Sequence, residues 1–567
     1  MNQTSPEPRP DGERMRPALL FAAVAASAVL LLVLRSLTAF VVDDAFISFR
    51  FARNWAEWGV PAFNSFELAP DGQPVEGFSN LLWTALLALL HGAGADLPSV
   101  VGALQGVLAA LCVFVTARFA WRALGLGAVG AIAAPVLLAT SAPFVAWSGG
   151  GMETTLFALL LTGLLTETLT ERQESVRAGL ALGAWAAGVA LVRAEGPVWV
   201  LGTLGAVLVA GRLAGRGEVA LRGRRLAVAM AVFALATLAM LAWRKGVYGA
   251  WLPNTVAAKT GGGTEILARG ARQIASWALV TITPIAALLA LLPSLRRSAV
   301  RARVAALAAL GVVVGGVLYS VAVGGDWMPF FRFLAPVAPA LALVVAIGLD
   351  AAPRAVGVGV LAVLAALQPL ALFDVHVAPE GARAALRFRT FRGGYASEAS
   401  RAAKARENAA RFEQLGEALA VGTEPGDVLA FGPIGSPGWF APALDFVDRN
   451  GLVTPSVAAR DIEPGGGTAG HEKRVPHAWF LDHGAPAPRY LFATWLEGRM
   501  DPANPRHVAR ARDAIRGLLG GAGRGEGPLY RRTVLRAVPI LEGPAEGCTL
   551  LLLERADPAA AAAFWGA

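Results

Sequence analysis

"FVVDDAFISFRFARN" (residues 40–54) closes the first apolar run of the chain and sets two carboxylates, Asp43 and Asp44, side by side at its end. The run itself, Pro17 to Val42, is too long for the core of a cleaved leader, and no small-residue cleavage signal precedes the aspartates. It reads as a retained membrane anchor. Like charges at the rim of a bilayer are costly unless something uses them. Asp is a good helix-capping residue, so one of the pair can serve the helix that follows, but a pair exceeds what capping needs. Arg50 and Arg53 stand too far along that helix for a simple i,i+4 ion pair. A carboxylate held at a membrane face suits a general base for an acceptor hydroxyl.

Outward from this stretch, the composition is that of a polytopic membrane protein: 567 residues, 55% hydrophobic and only 16% charged. Two cysteines, Cys112 and Cys548, make no disulfide framework. The net charge of +9 sits largely in short loops between apolar runs, and no basic patch interleaved with aromatics points to nucleic acid. Apolar runs over 17–41, 98–120, 125–146, 154–170, 176–193, 196–211, 226–243, 273–292, 302–322, 332–349 and 355–373 predict eleven spans. A further piece, Glu76 to Ala95, holds too short a continuous apolar run and reads as interfacial or re-entrant.

With that piece non-spanning and the N-terminus inside, residues 1–16 form a cytoplasmic tail and seventeen Lys/Arg fall in six short inner segments. Nine fall outside, over longer loops, which is the asymmetry that orients membrane proteins. The outer loop 42–97 then carries interfacial helices. After Phe373, polar stretches alternate with short apolar runs such as "DVLAFG", "RYLFAT" and "CTLLLLER", so 374–567 reads as a soluble extracytoplasmic α/β domain.

Every loop with an unusual polar motif falls on the outer face. "WSGGGMETT" carries Glu153, and "LVRAEGP" carries Arg193 and Glu195. "WRKGVYGAWLPNTVAAK" carries Arg244, Lys245, Asn254 and Lys259, and "GGDWMPFFRF" carries Asp326, Trp327 and Arg332. Each has a structural reading: capping for Glu153, an Arg193–Glu195 or Arg193–Glu153 pair, and snorkelling at the interface for the cations. Together on one face they predict a polar site. "GHEKRVPH" holds His471 and His477 without zinc-protease spacing, and the triple glycine 261–263 lacks a P-loop continuation.

These motifs, in the order "DDAFISFRFARNWAEWGVPAFNS", "VEGFSNLLW", "SGGGMETTLFALLL", "RAEG", "LPNTVAAK" and "GGDWMPFFRFLAPVAP", resemble the GT-C membrane glycosyltransferases. They are most similar to the subgroup of the mycobacterial terminal arabinofuranosyltransferase, over roughly residues 40 to 345, with weaker similarity in "GLVTPSVAAR" and "GHEKRVPHAWFL". The resemblance implies a GT-C catalytic domain over 17–373. It also implies inverting transfer of a sugar from a polyprenyl-phosphate donor to an extracytoplasmic glycan or lipid acceptor. One of Asp43 and Asp44 is then the base, with Asp43 preferred as the first acidic position. Asp44 then orients it or holds the acceptor, and the sequence does not say which takes the proton. A lipid phosphate leaving group needs positive charge, and Arg193, Arg244, Lys245, Lys259 and Arg332 are the outer cations available. Arg50, Asn54, Glu76, Asn80, Glu153, Glu195, Asn254, Asp326, Trp327, His471 and Lys473 are the candidate substrate contacts within the motifs. No cofactor is expected; some GT-C enzymes use a divalent metal, which the resemblance leaves open and carboxylates this scattered do not favour. The expected setting is a monomer in a bacterial plasma membrane with its site facing the periplasm or exterior. The donor sugar is not fixed by the motifs. A transporter or flippase of lipid-linked sugar would instead show polar or broken helices in two related halves. A lipid-linked glycan ligase would use similar outer cations, and a non-catalytic scaffold leaves the paired carboxylates unexplained.

Overall fold

The computed structural model describes residues 16–38, 40–170, 174–215, 223–259, 264–386, 396–462, 469–501, 503–520 and 525–565. Most of the expected cytoplasmic tail, Arg172, Arg216, Arg222, the glycines 261–263 and the start of the charged stretch, 387–395, lie outside the described residues.

Helix α1 (Pro17–Thr38) is followed by two helices of the loop 42–97, α2 (Asp43–Trp58) and α3 (Leu81–Gly92). Then come α4 (Leu97–Arg118), α5 (Ala128–Thr140), α6 (Ala142–Trp147), α7 (Thr154–Leu169), α8 (Val176–Val192), α9 (Gly196–Leu213) and α10 (Gly223–Tyr248). The short α11 (Asn254–Lys259) leads to α12 (Thr264–Thr281), α13 (Thr283–Arg297), α14 (Val300–Ala322), α15 (Ala338–Ala351) and α16 (Arg354–Leu367). Among the described residues six helices are long and apolar enough to cross a membrane, or seven if the bent pair α12–α13 is one span. The chain is a multi-pass membrane protein. Helix α3 has 12 residues, about 18 Å of rise, well short of a bilayer core.

Three of the expected spans differ from the structure. The run 273–292 is not one straight helix: α12 and α13 meet at 78°, with Ile282 at a φ of 61° and Pro284 entering the first turn of α13. The run 125–146 breaks at Ser141, where Pro143 starts a new helix. The run 332–349 becomes α-helical only at Ala338, after a proline-punctuated turn at 335–337. In all three, uniform hydropathy hides a proline that removes a backbone donor.

The C-terminal part runs α17 (Glu380–Ala385), α18 (Glu398–Gly422), β1 (Val428–Phe431), α19 (Gly435–Phe440), β2 (Asp445–Asp448), α20 (Pro455–Ala458), β3 (Tyr490–Glu497), α21 (Pro505–Leu519), β4 (Thr533–Pro539), β5 (Cys548–Arg555) and α22 (Pro558–Trp565). Its five strands form one sheet in the order β2-β1-β3-β5-β4, with β1 parallel to β2 and β3, and β5 antiparallel to β3 and β4. The unbroken leucines of β5 follow from burial on both faces. Leu550 and Leu552 pack with Ile47, Phe51, Phe63 and Phe78 of the loop 42–97, whereas Leu551 and Leu553 pack with Ala511, Ile515 and Leu519 of α21.

Helix α2 is therefore enclosed rather than laid on the lipid surface. Its Ala45, Phe46, Phe49 and Ala52 belong to the core of the membrane helices, while Ile47 and Phe51 belong to the core beneath the sheet. A helix apolar on two faces is one buried between two layers. That placement carries the aspartates at its first turn into the seam between the membrane part and the sheet.

Candidate active site

The N-cap of α2 is Val42, and no side chain caps the helix, so neither aspartate does the capping that the sequence allowed. Both carboxylates instead line a cavity of about 1120 Å³ between the membrane helices and the C-terminal part. Asp43 Oδ1 accepts the backbone N–H of Ser436 at 2.7 Å, from the start of α19. The approach is close enough that a Cβ on Gly435 would sit 1.9 Å from the Asp43 carbonyl oxygen, so this position takes only glycine. Burial pushes the Asp43 carboxyl up to about 6, the Ser436 N–H works against the shift, and the neighbouring Asp44 charge adds to it.

Around the aspartates most of the wall's described charges are paired, and Lys259 is not. Arg193, held between α8 and α9, faces Glu195 at 2.9 Å and Glu153 at 3.6 Å and lies over the rings of Phe157 and Phe333. Glu153 also accepts from Asn80 at 2.9 Å, and Asn80 bonds Ser48 one helical turn beyond Asp44. Arg332 grips Asp326 at 2.7 Å. Lys259, at the end of α11, lines the same cavity with no hydrogen bond or ion pair to any described residue. Burial and then the repulsion of Arg332 hold its ammonium below the usual lysine range, partly offset by Asp44 and Asp326. An unpaired cation beside two guanidiniums is a ready acceptor of a dianionic group.

The segment 471–474 closes the cavity from the C-terminal side. His471 meets Trp327 edge to face at 5.4 Å, and burial lowers its imidazole below the usual histidine range. Glu472 pairs with Arg269 of α12 at 2.5 Å. Lys473 donates to the carbonyls of Ala257 and Ala458, each at 2.9 Å, so this candidate contact fastens α11 although it borders the cavity.

Six of the sequence candidates lie away from the cavity lining and are spent on architecture. Arg50 is fully buried and donates to the carbonyls of Phe63, Gly438 and Leu444 at 2.7, 2.8 and 2.9 Å. Asn54 donates to Ala62 and Phe63, and Asn254 to Gly451 and Leu452. Glu76 and Arg244 form a buried two-point ion pair at 2.5 and 3.0 Å. Lys245 is exposed, bonds the carbonyl of Gly249 and sits over Trp251. Pairing and backbone bonding use up donors that the sequence presents as available for a ligand.

Other residues of the site carry no local signal. Phe330 and Phe331 adopt φ of 53° and 51°, costly for bulky residues. Glu398 of α18 accepts the Phe330 N–H at 2.5 Å, and Arg401 donates to the carbonyls of Trp327 and Met328. The loop that presents Asp326 and Trp327 is thus held by a helix roughly seventy residues later. Gly435, Ser436 and Asn450 likewise join the seam only through the tertiary fold, and Arg474 joins it from within the "GHEKRVPH" stretch. Among the described residues no group of three or more His, Cys, Asp or Glu is placed to hold a metal ion.

No family model matches the chain and no curated protein matches its sequence. Solved structures match across nearly its whole length. ArnT from Cupriavidus metallidurans, bound to undecaprenyl phosphate, superposes with a TM-score of 0.54 at 13% identity, over 95% of this chain and 98% of that one. Arabinofuranosyltransferase AftD from mycobacteria gives 0.52 at 17%, over 98% of this chain but 41% of its own. AglB, the oligosaccharyltransferase of Archaeoglobus fulgidus in complex with an inhibitory peptide and a dolichol-phosphate, gives 0.51 at 12%, over 91% and 73%. All three are GT-C glycosyltransferases, and at these identities the likeness establishes the fold: this chain has the GT-C fold, with AftD-like similarity.

Proposed function

We propose that this GT-C-fold membrane protein is an inverting glycosyltransferase, moving a sugar from a polyprenyl-phosphate donor to an extracytoplasmic glycan or glycolipid. The observation that carries the reading is the composition of one cavity: two adjacent carboxylates, one raised to about 6, share it with Lys259, Arg193 and Arg332. Asp43 takes the proton of the acceptor hydroxyl as its oxygen attacks the anomeric carbon. The bond from that carbon to the phosphate oxygen breaks on the opposite face, so the configuration inverts. A base titrating near 6 is ionised at neutral pH yet basic enough to accept a proton. Asp44 orients the acceptor. Lys259 meets the charge that develops on the leaving phosphate, within the positive field of Arg193 and Arg332. The lipid phosphates in the ArnT and AglB structures support a carrier of that kind.

The topology belongs to the same proposal: eleven crossings, the N-terminus inside a bacterial plasma membrane, and the cavity on the periplasmic or outer side. The 78° break between α12 and α13 is the one feature that favours a transporter. Among the described residues it has no counterpart in a second half, and the polar groups gather at one end of the helices, so the transferase reading is preferred. The test is to incubate purified protein with a panel of polyprenyl-phosphate sugars, following lipid-phosphate release and the anomeric configuration of the product. Release with at least one donor and an inverted product is expected. No release with any donor favours the transporter, and a retained configuration removes the single-displacement mechanism.

A further inference from the structure

Strands β1 and β2 run parallel, so their carboxyl ends lie on one edge of the sheet, and that edge faces the cavity through Gly432 and Asn450. Crevices outside the carboxyl ends of parallel strands are recurrent binding positions. Asn450 is only 9% exposed. Its Nδ2 donates to the Gly432 carbonyl at 2.9 Å, which fixes the amide orientation, because a carbonyl can only accept. Its Oδ1 is left buried without any hydrogen-bond partner. Such an orphan acceptor costs free energy unless a ligand supplies a donor.

The Arg474 guanidinium stands beside it. A Cβ built on Gly432 would lie 3.4 Å from Arg474 Nη2 and 3.6 Å from Asn450 Nδ2, so the two side chains border a notch that glycine leaves open. The Arg474 guanidinium lines the cavity and makes no hydrogen bond or ion pair with any described residue. Phe412, packed edge-on to Phe431 at the end of β1, adds an apolar ring to the same wall.

The chemistry of this wall differs from that around Lys259. A phosphate presents acceptors and would leave Asn450 Oδ1 unsatisfied. A vicinal diol presents both O–H donors and oxygen acceptors, the complement of an orphan carbonyl beside an unused guanidinium. An aromatic face suits the C–H side of a sugar ring. We propose that the carboxyl edge of β1 and β2 is the acceptor subsite and that it takes the neutral, hydroxyl-rich end of a glycan rather than a phosphate. Asn450 Oδ1 accepts from one sugar hydroxyl, Arg474 donates to its neighbour, and Gly432 keeps the notch clear. The inference rests on the transferase reading, since it places the acceptor across the cavity from the donor phosphate.

The experiment uses full-length protein in lipid nanodiscs and two probes, octyl mannoside and octyl xyloside, observed by saturation-transfer NMR. Undecaprenyl phosphate binding is measured separately. Asn450→Leu, Arg474→Gln and Gly432→Ala are each expected to weaken the glycosides at least tenfold while the affinity for undecaprenyl phosphate stays unchanged. Thermal unfolding serves as the check that each variant is folded. Glycoside binding that ignores Asn450→Leu and Arg474→Gln, undecaprenyl phosphate binding that falls with them, or no glycoside binding by the native protein each overturns the subsite. If no lipid-linked donor is ever turned over but glycoside binding still depends on these residues, the transferase reading falls and the subsite stands.

Discussion

Arg50 and Lys259 are both cations carried on a helix in a loop between apolar runs, and the structure gives them opposite surroundings. Arg50 is enclosed between α2 and the sheet, where three carbonyls and Asp445 absorb its guanidinium, and burial brings it down to about 9. Lys259 looks into the cavity with nothing on its ammonium but the field of Asp44, Asp326 and two arginines. The contrast repeats nearby. Arg244 is consumed by Glu76, whereas in the wall around Asp43 and Asp44 the Lys259 ammonium is left without a partner among the described residues. The charges of these loops therefore divide into rivets and candidate site. What distinguishes them is the number of partners each group has already met, not residue type or position in a motif.

Mutations sharpen that division in order of size. Asp43→Asn keeps an oxygen for the Ser436 N–H but loses the base, so turnover should fall roughly 10³-fold with the unfolding temperature unchanged. Steady-state lipid-phosphate release checks it, and near-native turnover breaks the assignment. Arg50→Met should cost about 3 kcal/mol of stability, because buried carbonyls lose their donors and Asp445 loses its counter-charge. Detergent unfolding curves measure the loss, and the fraction that remains folded should keep its donor KM. A raised KM at unchanged stability would move Arg50 from the rivets to the site. Lys259→Met should lower kcat/KM for donor about 10²-fold, the scale of one removed stabiliser of developing charge, without loss of stability. Lys245→Ala, exposed and bonded to a local carbonyl, should change either quantity by less than about 2-fold.

Much of the architecture is legible in the sequence because hydropathy and turn residues carry it. Eight of the eleven long apolar runs fall on single helices, the other three are interrupted at a proline, and "CTLLLLER" is a strand as its flanks suggest. The α12–α13 bend escaped because its signal is one proline in an apolar run. The role of α2 escaped because amphipathicity reports that a helix has an apolar face, not that a sheet covers the other. Among site residues, Asp43, Asp44, Arg193, Lys259, Asp326 and Arg332 stand together as the motifs suggest. Gly435, Ser436, Glu398 and Arg401 hold that group from a part of the chain with no motif in common with it. A sequence shows a charge but not its partner when the partner is hundreds of residues away.

The pH dependence of kcat/KM for donor turnover tests the central claim, that one aspartate in this cavity is the base. A carboxylate raised to about 6 is protonated below that value, so activity should climb through an inflection near pH 6 and level off above it. The limb should vanish from the residual activity of Asp43→Asn and persist in that of Asp44→Asn. An inflection at the ordinary carboxylate value near 4, or a limb abolished by Asp44→Asn and kept by Asp43→Asn, would contradict the account.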